Sequence, residues 1–99
     1  MKIVFTVCND VYAPRLMELL GTLGIDYYTR WDQVTGKGHG TEPHLGTRSF
    51  PGHNAVLMIA IREEAVLERL VGGIEEANSH ILRADDKVRL FQVPLERIV

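Results

Sequence analysis

The sequence predicts an α+β fold: four antiparallel strands and two helices in the order β-α-β-β-α-β. Three observations carry this. Two apolar runs of strand length, KIVFTVC at 2–8 and AVLMIAI at 55–61, are each followed by aliphatic residues at helical spacing. Two further runs rich in β-forming residues, at 25–34 and 87–93, supply the remaining strands. A long polar stretch, VTGKGHGTEPHLGTRSFPGHN at 34–54, separates the second strand from the third.

In chain order, residues 2–8 are β-branched and aromatic and form the first strand. Asn9 and Asp10 are suited to cap the helix that follows, and Pro14 fits because it falls in the first turn. Leu16, Leu19, Leu20 and Leu23 give that helix its apolar stripe, and Gly24 is placed to end it. Residues 25–34, IDYYTRWDQV, read as the second strand and 55–61 as the third. Arg62, Glu63 and Glu64 open the second helix, with acid where the helix dipole favours it. Val66, Leu67, Leu70, Val71 and Ile74 are its buried stripe. Residues 79–86 form a polar connection, 87–93 the last strand, and Pro94 its end. This is the split pattern called ferredoxin-like, with both helices on one face of the sheet.

Two helices cover only one face, so the other should turn polar. It does not: Val56, Met58 and Ala60 oppose Leu57, Ile59 and Ile61, while Ile3, Phe5 and Val7 oppose Val4, Thr6 and Cys8. A sheet apolar on both sides needs a second cover, and self-association is the economical one. The alternative is a half-exposed face of small apolar residues.

The 99 residues predict one domain, with 45% hydrophobic and 24% charged residues. A net charge of −2 argues against a nucleic-acid partner. Cys8 is the only cysteine, which rules out an intrachain disulfide and fits a reducing compartment. The chain starts directly in a strand-like run, with no apolar segment of secretory or transmembrane length. A cytoplasmic protein with no membrane insertion is therefore expected.

Ordered this way, the sequence resembles the PII and PII-like signal transduction proteins (the nitrogen regulatory protein P-II superfamily) over essentially its whole length. MKIVFTV resembles their first strand, and LLGTLGIDYYT the approach to their second. VTGKGHG resembles "VKGFGRQ", which opens their long T-loop. HNAVLMIAIREEAVLERLVGGIEEA resembles strand three and helix two, and ADDKVRLFQVPLERI resembles "GDGKIFVxPVExx", the B-loop and last strand. The resemblance implies a homotrimer with its sheets facing inward and its helices outside. It also implies clefts between subunits that take an adenine nucleotide (ATP, ADP or AMP). Residues 35–53 would be a T-loop that docks on a transporter or regulatory protein, and the protein would not be an enzyme.

Carried over residue by residue, the nucleotide would be held by Gly36, Lys37, Gly38, His39, Asp85, Asp86 and Lys87. Glycines without Cβ let backbone N–H groups approach a phosphate, although they serve a simple turn equally well. The sequence also departs from the family pattern. His39 replaces an arginine, and Gly40 replaces the glutamine that helps hold magnesium and 2-oxoglutarate, which argues against 2-oxoglutarate sensing. The loop is shorter and has no tyrosine, so uridylylation has no acceptor. Ala84 and Asp86 stand where the B-loop has glycines, Val56 where strand three has a lysine, and Arg97 is the nearest basic residue to the family's closing segment.

The loop residues His39, His44 and His53 are candidate ligands for a divalent transition metal, because imidazole suits zinc, copper or nickel. Ordinary surface histidines are the alternative. This makes the second functional reading a metal-binding PII-like protein linked to metal efflux. A small enzyme or structural oligomer ranks last, since no residue is assigned a catalytic role. Arg48 and Phe50, near the loop tip, are the expected partner-docking anchors.

Overall fold

The computed structural model describes every residue except Thr41 and Phe50, so the docking role expected of Phe50 lies outside the described residues. Four strands, β1 (Lys2–Asn9), β2 (Thr29–Val34), β3 (Asn54–Ile61) and β4 (Arg89–Pro94), form one sheet in the order β2-β3-β1-β4, and every neighbouring pair is antiparallel. Helices α1 (Ala13–Thr22) and α2 (Glu64–Ser79) pack on one face. This is the expected ferredoxin-like order.

Burial along the central strands alternates with the pleat. Val4, Thr6 and Cys8 of β1 and Ala55, Leu57, Ile59 and Ile61 of β3 are buried beneath the helices. Leu16 and Leu20 of α1 and Leu67, Leu70 and Ile74 of α2 close the core over them. These are residues of the two aliphatic stripes, so the 3.6-residue period of each helix meets the two-residue period of the sheet. Thr6 is the polar residue buried here, and its hydroxyl has no hydrogen-bond partner among the described residues. An unpaired buried hydroxyl costs about 1–3 kcal/mol. Replacing it by a methyl in Thr6→Val is therefore expected to raise stability by about 1 kcal/mol, which urea denaturation at fixed protein concentration would read.

Four boundaries differ from expectation. Residues 25–28 are not part of β2, whose ladder with β3 begins at Thr29 opposite Met58. Ile25 instead turns into the core, and Tyr27 lies beside a hollow next to Ala60. β4 starts at Arg89 rather than 87, because Ala84–Asp86 winds into a single 3-10 turn. Pro94 sits inside β4, opposite Lys2, where an edge strand tolerates a missing N–H. A 3-10 turn at Asp10–Tyr12 precedes α1, and the Asn9 side chain accepts the Val11 N–H as its cap. Gly24 follows α1 with φ of 74°, the left-handed conformation that glycine adopts without strain.

Among the described residues, no helix covers the opposite face of the sheet. Register places Val7, Val56 and Trp31 in one row, Phe5, Met58 and Phe91 in the next, and Ile3, Ala60 and Val93 in a third. At its margins Trp31, Phe91 and Val93 are 45%, 53% and 46% exposed. The two-sided apolar character of β1 and β3 is thus a real surface of the folded chain.

Candidate functional site

The loop between β2 and β3 is built, not slack. A register shift between Trp31 and Val34, with Gln33 in the left-handed region at φ 56°, turns the chain out of β2. Gly36 and His44 then exchange two backbone hydrogen bonds of 2.7 Å, closing the loop at its base. Nearer the tip, the Gly46 N–H donates to the Gly52 carbonyl at 3.0 Å, and the His53 ring lies against Gly46.

Two asparagines join this loop to the segment before β4. Asn9 and Asn54 are register partners at the end of the β1–β3 ladder. Asn54 Oδ1 accepts from His44 Nδ1 at 2.7 Å, and Asn9 Nδ2 donates to Asp86 Oδ1 at 3.2 Å. Asn78 fixes the same segment from behind, pairing its side-chain amide with both backbone groups of Val88 at 2.8 Å. On the outside, Arg83 Nη2 donates to Glu42 Oε2 at 2.7 Å and to Asp85 Oδ2 at 3.3 Å. Its guanidinium is held more firmly charged by the hydrogen bond to Glu42 and by nearby Asp85. That pair is exposed, so it serves as a clasp rather than an anchor.

Between the loop base and residues 84–87 opens a cleft of about 700 Å³. Gly36, Lys37, Gly38, His39, Asp85 and Lys87 all line it. Asp86 does not, because its carboxylate turns to Asn9. Gly36 has a packing reason to be glycine: a Cβ there would lie 2.5 Å from Asn54 Nδ2. Val7, Val34, Val56 and Phe91 form an apolar wall, and Lys37, Lys87 and Arg89 bring positive charge. An apolar wall beside basic groups and open glycine backbone suits a flat heterocycle bearing phosphates. A smaller hollow of about 420 Å³ at the far end of β3 is lined by Leu23, Gly24, Tyr27, Ala60, Arg62, Glu63 and Val66, with one basic and one acidic side chain.

The three loop histidines separate. His39 lines the cleft, His53 packs at the loop tip, and His44 turns inward to Asn54 and Asp85. Arg48 stays in the exposed distal loop. Sequence reading missed Asn54 and Arg83, took Asn9 only as a helix cap, and weighed Glu42 only as a carboxylate beside the loop histidines.

Cys8 lies at the inner end of the cleft but is buried. Burial pushes its thiol up to about 11; the Arg30 charge opposes this and Asp10 adds to it. Below the ordinary value of 9.0 the thiol is protonated in both folded and unfolded chains, and its contribution to stability is intact. As pH rises from 9.0 toward about 11, the unfolded chain loses its proton first and stability falls. Cys8→Ala, which has no thiol, is expected to lose less stability over that window in pH-dependent denaturation.

No family model matches the sequence, and no curated protein matches it. Solved structures do match. The nitrogen regulatory PII-like protein CPII from Thiomonas intermedia K12, bound to ADP, AMP and bicarbonate, superposes with a TM-score of 0.68 at 18% identity, over 97% of this chain and 88% of that one. The same protein bound to ADP, AMP and acetate gives 0.65, with the same identity and coverage. A protein from Thermus thermophilus, assigned to PII-like signalling, gives 0.62 at 25% identity, over 93% of this chain and 83% of that one. The chain thus has the fold of these PII-like proteins.

Proposed function

We propose that the chain is a PII-like regulatory protein that self-associates through the open face of its sheet and binds an adenine nucleotide beside that interface. The observation that carries this reading is the continuity of cleft and face: Val7, Val56 and Phe91 belong to both. A second copy covering the face would also close the cleft, so binding and assembly share one surface. A homotrimer satisfies this with three equivalent clefts, as the resemblance implied. CPII, which shares the fold, is bound to ADP and AMP in two of its solved forms.

In this reading the base lies against the apolar wall, while the phosphates meet the Gly36–Gly38 backbone, Lys37 and Lys87. Lysine serves phosphate as a point charge. Because Gly36 and His44 both line the cleft and close the loop base, occupancy would be felt by the loop that meets a partner such as a transporter. Residues 35–53 thus act as the T-loop of a single PII-like unit, with Arg48 on its outer part. The role is regulatory rather than catalytic: the thiol of Cys8 is protonated at neutral pH and buried. A cytoplasmic setting belongs to the same reading, supported by the lone, reduced cysteine. No helix among the described residues is long and apolar enough to cross a membrane. Titration calorimetry with ATP, ADP and AMP tests the reading. Saturable binding of at least one of them, near one per chain, is expected, and no heat from any of them would sink it.

A further inference from the structure

One side-chain cluster in the fold has a chemistry that phosphate binding does not use. His44, Asp85 and Asp86 each present a ligand atom, and the three atoms lie within 4.8 Å of one another. His44 and Asp85 are mostly withdrawn from solvent, with side chains 12% and 14% exposed. Asn54 Oδ1 can only accept, so the 2.7 Å contact puts the proton of a neutral His44 on Nδ1. Nε2 is then left as a lone pair, facing Asp85 Oδ2 at 3.9 Å. Two electron-rich atoms turned toward each other at that distance share no hydrogen bond. They are arranged to share a cation.

We propose that His44 Nε2, Asp85 and Asp86 form a site for a divalent transition metal of the zinc class, clasping the base of the 35–53 loop to the segment before β4. One imidazole with two carboxylates is a donor set that zinc accepts, with bonds of about 2.0–2.2 Å. Tetrahedral geometry then places ligand atoms roughly 3.4 Å apart, so the cluster closes by about 1 Å or a little more when filled. Outer partners already hold two of the three ligands: Asn54 orients His44, and Asn9 holds one oxygen of Asp86. Arg83 also reaches Asp85, but it keeps Glu42 as a second carboxylate and so can yield Asp85 to the metal. The cleft meets the site at His44 and Asp85, leaving further coordination open to water. The site uses one of the three loop histidines. Its other two ligands come from 41 or more residues further along the chain.

This inference does not rest on nucleotide binding, and its test contains no nucleotide. The chelator-stripped chain is titrated with zinc chloride against a chromophoric chelator. One saturable zinc per chain is expected. His44→Ala and Asp85→Asn should each weaken it at least about tenfold, Asn54→Ala about tenfold, and His53→Ala less than about twofold. Asp85→Asn preserves side-chain shape, so it carries the test should His44→Ala fail to fold. Absence of saturable zinc binding would overturn the proposal, as would loss of the site in His53→Ala with affinity retained in Asp85→Asn.

Discussion

Met58→Asp is expected to break the proposed assembly into 11.2-kDa chains. Met58 sits at the centre of the open face, with Phe5 opposite on β1 and Thr29 opposite on β2. Within one chain a carboxylate there still reaches water, because the residue is only half-buried. Between copies it would be an unpaired charge in a dry apolar contact, which costs about 3–5 kcal/mol, or more than a hundredfold in association. Sedimentation equilibrium reads the mass, and circular dichroism should show that the variant remains folded. The wild-type chain is expected at three times 11.2 kDa. A wild-type monomer at micromolar concentration would remove the assembly from this account.

The second large effect is expected at Gly36. A Cβ in Gly36→Ala would lie 2.5 Å from Asn54 Nδ2, so the asparagine must move. Moving it is expected to release His44 from its 2.7 Å hydrogen bond to the same side chain. The loss of one such part-buried bond costs about 1 kcal/mol of stability. Loss of close backbone approach should cost ADP affinity on the order of tenfold or more. Gly72→Ala is the contrast: an added Cβ in this α2 position meets nothing within 4 Å. It should raise stability by about 0.5–1 kcal/mol through helix propensity and leave ADP affinity unchanged. Calorimetry and thermal melts on the two variants separate a local effect on the cleft from a general effect of adding a methyl.

The element order was legible because it rests on local signals. A β-branched run has one strand-length reading, and leucines spaced by three and four leave one helical face. The open face was legible for the same reason, since Val56, Met58 and Ala60 break the polar alternation that a covered sheet would show on its outer side. Strand two was overextended because Tyr27 and Tyr28 have strand-forming side chains, yet pairing is decided by β3, whose ladder reaches only to Thr29. The cleft was half legible. Gly36, Lys37, Gly38 and Lys87 could be named from motif position. The pairing of Asn9 with Asn54, by contrast, depends on β1–β3 register and has no trace in either local sequence. The same holds for the Arg83–Glu42 clasp, whose partners are 41 residues apart. Among the histidines, spacing treated three as equal, whereas the fold gives His44 alone both Asn54 and Asp85.

Hydrogen–deuterium exchange of the wild-type chain, with and without saturating ADP, tests most directly where the nucleotide sits and what it moves. The account predicts slower exchange at residues 36–39, 42 and 44 and at 84, 85 and 87, which line the cleft, with little change in α1 or α2. Unchanged exchange throughout, or protection centred on Leu23, Tyr27 and Arg62 at the far end of β3, would contradict it.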